Sequence, residues 1–219
     1  MNGEDWGRVA ILIAVVVPSV ILHEVSHGAV ANHFGDDTAK RAGRLTLNPV
    51  AHIDPFGTLL LPLLLALSGV GAFGYAKPVP VNVRRLRNPR QHSLYVSLAG
   101  PATNLCLALL GMIALRTWFP VESSIAAQFH APEFLALGPQ LLFWFAFVNL
   151  LLAVFNLLPI PPLDGSALVE RVLPRSWWPN WLRFRQWGFL LLLVLLLVTP
   201  GLLDRIFDPV IEAFLDFLA

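Results

Sequence analysis

Apolar and polar positions divide the chain into long hydrophobic runs separated by charged loops. Four runs are long enough to cross roughly 30 Å of hydrocarbon: Val9–Ala29, Ser93–Leu115, Phe134–Leu157 and Trp187–Leu203. Each predicts a membrane-spanning helix. A fifth run, Phe56–Ala72, is shorter and carries Gly57, Pro62, Gly69 and Gly71, residues that break helices or permit tight turns. The segment after it, Phe73–Val83, alternates with period two and is rich in proline. It predicts an edge strand or a small membrane-associated β-hairpin. The pattern therefore describes an all-α polytopic membrane protein. It has about four full transmembrane helices, one short re-entrant or fifth span, and a β-hairpin. Internal repeats, low-complexity tracts and Gly/Ser-rich linkers are missing from the sequence, so residues 1–219 read as a single domain.

Composition agrees with this reading. Of 219 residues, 56% are hydrophobic and 13% charged, against about a quarter charged in an average soluble domain. The mean hydropathy is +0.67. The net charge of +1 and the lack of a fitting basic cluster give no reason to expect a nucleic-acid partner. The lone cysteine, Cys106, lies in an apolar run and reads as a small buried side chain. Trp177, Trp178, Trp181 and Trp187 flank the last run as an aromatic belt would.

The charged loops predict sidedness, because Lys and Arg concentrate in short cytoplasmic loops. Residues 30–55 carry Lys40, Arg41 and Arg44; residues 74–92 carry Lys77, Arg84, Arg85, Arg87 and Arg90; residues 159–186 carry Arg171, Arg175, Arg183 and Arg185. Residues 119–133 hold Glu122 and Glu133 without a Lys or Arg, and both termini are acidic. The basic loops are thus expected in the cytoplasm and both termini outside. Basic loops on both sides of Phe56–Ala72 favour a run that dips in and returns over an ordinary crossing.

The most informative short pattern is His23-Glu24-Val25-Ser26-His27, at the end of the first apolar run. Two histidines four apart stand one above the other on a helix face. Their imidazoles can share one zinc ion while the Glu between them acts as general base on water. Ionisable groups at membrane depth are costly and default to function. A catalytic zinc keeps three protein ligands and one open position. The candidates for the third are His33, His52, Asp54 and Asp164. His33, six residues after His27, points to another face. His52 and Asp54 sit between prolines. Asp164 follows a helix that ends in a proline cluster, which puts it at the depth of His23; its competing reading is a helix cap before Gly165.

Together, HEVSH in the first span, Gly100-Pro101-x-x-Asn104 opening a later span, and NLLPIPPLDG over 156–165 resemble the site-2 protease family of intramembrane zinc metalloproteases, in its short form without a PDZ domain. The resemblance runs from about Ile13 to Leu173. It implies a zinc-dependent metalloendopeptidase with one Zn2+ per chain, bound by His23, His27 and Asp164. It makes Glu24 the catalytic acid/base, Asn156 a partner of the substrate carbonyl or oxyanion, and Asn104 a positioning group. The implied substrate is a membrane protein with a helical transmembrane segment, cut in or next to that segment from the cytoplasmic side of the bilayer. The competing reading is a catalytically silent or non-proteolytic zinc-binding membrane protein.

Overall fold

The structure, a computed structural model, describes residues 3–53, 77–119, 137–199 and 201–218. Its described elements are helical. In chain order they are α1 (Gly3–His33), α2 (Thr38–Arg41), 3-10 turns at Pro49–His52 and Val83–Arg85, α3 (Pro89–Trp118), α4 (Leu137–Leu157), α5 (Ser166–Val172), a 3-10 turn at Arg175–Trp177, α6 (Trp178–Arg185), α7 (Gly188–Val198) and α8 (Leu202–Leu218).

Among the described residues, three helices are long and apolar enough to cross a membrane: Val9–His33 within α1, α3 and α4. In their most apolar stretches only 22%, 39% and 33% of the residues are buried by protein. Leu12, Ile13, Leu109, Leu110 and Ile113 all face outward. A bilayer accounts for apolar side chains on the outside of such helices. This also corrects the expectation for Cys106, which is exposed: where the surroundings are lipid, an apolar neighbourhood does not imply the protein core.

The fourth apolar run is not one helix. α7 has 11 residues, about 17 Å at 1.5 Å per residue, short of a span. It ends at Thr199, and Gly201 follows at φ +76°, a backbone conformation that glycine takes cheaply. The run Phe56–Ala72 and the segment 73–76 lie outside the described residues. Residues 77–82, within the expected hairpin, form neither helix nor strand, and Asn82 has extended backbone.

The contacts divide the chain into two compact units. In the unit formed by 20–100, α1 runs down to His33 and the chain turns back through α2 and the 3-10 turns. Ala31, Leu86 and Val96 form its apolar centre, with Val30, Phe34 and Val81 packed against it. Asp36 is fully buried there and accepts hydrogen bonds from the Thr38 and Asn82 amides at 3.1 and 2.5 Å. Two cations of the basic loop are already used. Arg85 pairs with Asp37 at 2.6 Å, and Arg87 donates to the His33 carbonyl.

In the unit formed by 1–19 and 101–219, α3, α4 and α8 pack around Met112, Leu115, Phe143, Ala146, Phe147, Phe214 and Leu218. Phe214 meets Phe143 edge-on at 5.4 Å between ring centres. A Cβ on Gly111 would lie 2.9 Å from that of Ala146, so α3 and α4 meet small residue to small residue, as membrane helices commonly do. Near the end of this unit Trp181 and Arg185 both donate to Glu170, at 3.0 and 2.6 Å. Trp181 thus has a protein partner, while Trp177 and Trp187 are exposed as a belt residue would be.

Candidate metal centre

α1 carries His23 and His27 one turn apart, with Glu24 next to His23. Both imidazoles are buried. They meet edge to face with ring centres 4.7 Å apart, and their Nε2 atoms are separated by 3.1 Å. Two imidazole nitrogens bound to one tetrahedral zinc at about 2.0–2.1 Å each stand roughly 3.3 Å apart. The pair is therefore spaced as two ligands of one ion.

The tautomer of His27 follows from its other nitrogen. Nδ1 lies 2.6 Å from the Val96 carbonyl oxygen. A carbonyl only accepts, so Nδ1 carries the proton and Nε2 presents its lone pair. A metal-bound histidine is oriented in this way by a donor bond to a carbonyl. The space beside the pair is kept open by Gly100. A Cβ there would lie 2.5 Å from Nε2 of both His23 and His27, so the glycine of the Gly-Pro element is required by close approach of the histidine rings. Ser26 turns its hydroxyl to the His23 carbonyl at 2.6 Å and takes no part in the pair.

Glu24 is half-buried. Its Oε2 accepts the backbone N–H of Val79 at 2.8 Å.

Asp164 lies between α4 and α5, past a cis peptide bond at Pro161–Pro162. The turn is held by hydrogen bonds from the Leu163 amide to the Ile160 carbonyl at 2.9 Å and from the Gly165 amide to the Asn156 carbonyl at 2.6 Å. Gly165 immediately precedes α5. Among the described residues, one group of three potential ligands has atoms close enough for a single metal ion. It comprises His23, His27 and Asp164, whose ligand atoms all lie within 4.8 Å of one another. The donor set, two imidazoles and a carboxylate, suits zinc.

The remaining candidates fall elsewhere. His52 is buried with Nε2 on the Thr46 carbonyl at 2.9 Å, and neither it nor His33 belongs to the group of three. Asp54 lies outside the described residues. His92 stacks on Phe34 at 4.0 Å and accepts the Asn88 amide. Asn156 is half-buried; its Nδ2 donates to the Leu152 carbonyl at 2.9 Å, one turn back in α4.

Asn104 is fully buried, and the structure joins it to residues that the sequence reading passed over. Its Nδ2 donates to the side-chain oxygen of Asn149 at 2.6 Å and to the Ser19 carbonyl at 3.3 Å. Asn149 in turn donates to the Ser19 hydroxyl at 2.8 Å and to the Phe145 carbonyl. Ser19 lies one turn before His23. This buried network ties α1, α3 and α4 together, and an asparagine in the middle of the apolar run Phe134–Leu157 was the available signal for it.

Known proteins place the chain in a family. Residues 136–199 match Peptidase family M50. YwhC of Bacillus subtilis, assigned as a zinc metalloprotease, is 41% identical over 191 residues, covering 86% of this chain and 80% of that protein. Rip2 of Mycolicibacterium smegmatis, assigned likewise, is 37% identical over 213 residues, covering 96% and 75%. Rip2 of Mycobacterium tuberculosis is 37% identical over 193 residues, covering 87% and 68%. No solved structure matches. The chain belongs to peptidase family M50, the site-2 protease family. It is a zinc-dependent metalloprotease of a membrane.

Proposed function

We propose that His23, His27 and Asp164 hold one Zn2+ per chain, that Glu24 is the general acid/base, and that the protein cuts a membrane-protein substrate in or next to a helical transmembrane segment. The convergence of the three ligand atoms within 4.8 Å carries this reading. It also opposes the catalytically silent alternative, since the carboxylate of Glu24 is retained on the same stretch of helix.

Zinc supplies Lewis acidity: it makes water acidic enough to attack near neutral pH and polarises a carbonyl. The chain's own groups do the rest. Glu24 takes a proton from the attacking water and returns it to the leaving amine, so that no net proton is gained or lost. The His27 Nδ1–H bond to Val96 fixes its ring. The second N–H of the Asn156 side-chain amide would be free to donate to the developing oxyanion, since the first is spent on Leu152.

The remaining parts of the reading are topological. We place the basic loops and the active site at the cytoplasmic face, both termini outside, and residues 1–219 in one membrane-integral catalytic domain. Phe56–Ala72, which lies outside the described residues, is a short re-entrant or fifth span, and the basic loops on both sides favour the former. Four apolar runs cross, the last through a helix broken at Thr199.

The test is zinc content per chain together with the cleavage rate of one helical membrane peptide. Wild-type protein should hold about one zinc. His23→Ala and His27→Ala should lose most of it, and Asp164→Asn should lose zinc and activity together. Asn156→Ala should keep zinc and lower turnover by around 10²–10³. Full zinc in all three ligand variants would overturn the assignment.

A further inference from the structure

The segment Lys77-Pro78-Val79-Pro80-Val81-Asn82 is a strap without helix or strand. It is tied at three points within its own unit. The Lys77 amide donates to the His52 carbonyl at 3.0 Å, the Val79 amide to Glu24 Oε2 at 2.8 Å, and the Asn82 amide to Asp36 Oδ2 at 2.5 Å. Prolines at 78 and 80 have no N–H, so Val79 is the single donor across 78–80. Lys77 and Val79 each precede a proline, which biases both toward extended backbone. The strap is therefore stiff before it meets anything. The Val79 side chain is buried and sits in the notch left by Gly28: a Cβ on Gly28 would lie 2.8 Å from Val79 Cγ1. Side chain and amide of one residue are thus both keyed to the stretch of α1 that bears His23, Glu24 and His27.

We propose that Val79 is a positioning residue for the protease reaction: its backbone N–H holds Oε2 of Glu24 and so aims Oε1 at the water. This rests on the reading of Glu24 as general base. The proton passes from water to Oε1 as the new C–O bond forms, and from Oε1 to the amide nitrogen as the C–N bond breaks. Oε2 keeps the Val79 bond throughout and never carries the proton. A hydrogen bond to a charged group in a partly dry site is strong enough to fix a carboxylate rotamer. The flanking prolines leave that bond without a competing donor beside it.

The experiment replaces valine 79 by its hydroxy-acid analogue in the full-length, zinc-loaded protein. This turns one amide N–H into an ester oxygen and leaves the isopropyl group in the Gly28 notch. Cleavage of a fluorogenic transmembrane peptide should then show kcat reduced about 10–100-fold, with KM and zinc content unchanged. The same replacement at Val81 should leave kcat unchanged. An unaltered kcat at position 79, or a loss confined to zinc or KM, would overturn the proposal, since a purely structural anchor would act through those quantities. Glu24→Gln, run in parallel, tests the underlying reading separately: if it is active, Glu24 is not the base, whatever the ester does. Should the ester protein fail to accumulate, amide exchange decides. The Val79 N–H should exchange faster in Glu24→Ala than in wild type, and an equal rate would contradict the bond.

Discussion

At the residue scale the centre depends on what surrounds two histidines. The pattern His23-Glu24-x-x-His27 was legible because a helix repeats its face every four residues, and the structure puts the two Nε2 atoms 3.1 Å apart. The Val96 carbonyl that fixes the His27 tautomer, and the Val79 amide on Glu24, were not legible. Both are backbone groups 69 and 55 residues away, and any residue type supplies a carbonyl. Gly100 lies between these cases: the sequence marks it, and only the fold explains it. Gly100→Ala would bring a methyl within 2.5 Å of both Nε2 atoms, so the two rings, the proposed ligands, would have to turn. The expected result is zinc affinity lowered by about 10–100-fold, the range for changes next to metal ligands. Competition with a chelator of known affinity measures it.

At the element scale, the membrane helices were found by length and apolarity, while their faces were not. In a soluble helix the polar side shows which side is buried; here lipid-facing and protein-facing positions are both apolar, so exposed Cys106 and buried Ala108 of α3 look alike in sequence. The fourth run failed for a different reason. Composition continues through Trp187–Leu203, but a helix needs a continuous backbone ladder, and α7 ends at its cap Thr199, with Gly201 at positive φ beyond it. α8, which follows, carries Asp204, Asp208, Glu212 and Asp216 four residues apart, one acidic stripe along a helix. Its apolar face delivers Phe214 and Leu218 to the core with Phe143 and Phe147. Arg116 secures its end by donating to the Phe217 carbonyl at 2.7 Å. Phe214 is 1% exposed, so Phe214→Ala should destabilise the protein by about 3–5 kcal/mol. A lower midpoint in thermal or denaturant unfolding in detergent, with zinc stoichiometry retained below it, is the outcome to look for.

At the scale of the whole molecule, an apolar chain has to house chemistry that needs water. The charge pattern predicts that Arg44 and Arg87 share the cytoplasmic side. Cysteines placed there, one at a time in a Cys106→Ser background, should both resist a membrane-impermeant thiol reagent added to intact cells. Rapid labelling of either one would make Phe56–Ala72 an ordinary crossing. The proposed division of labour in this zinc protease gives the proton to Glu24 and the metal to His23, His27 and Asp164. Its most direct test is one pair of numbers for Glu24→Gln in purified full-length protein, zinc per chain and turnover of a helical membrane peptide. Glutamine keeps the size of the side chain and can still accept the Val79 amide, but it cannot serve as a base. About one zinc should be retained and turnover should fall by at least 10²–10⁴, the share that acid/base catalysis contributes. Cleavage at the wild-type rate with zinc in place would contradict that division of labour.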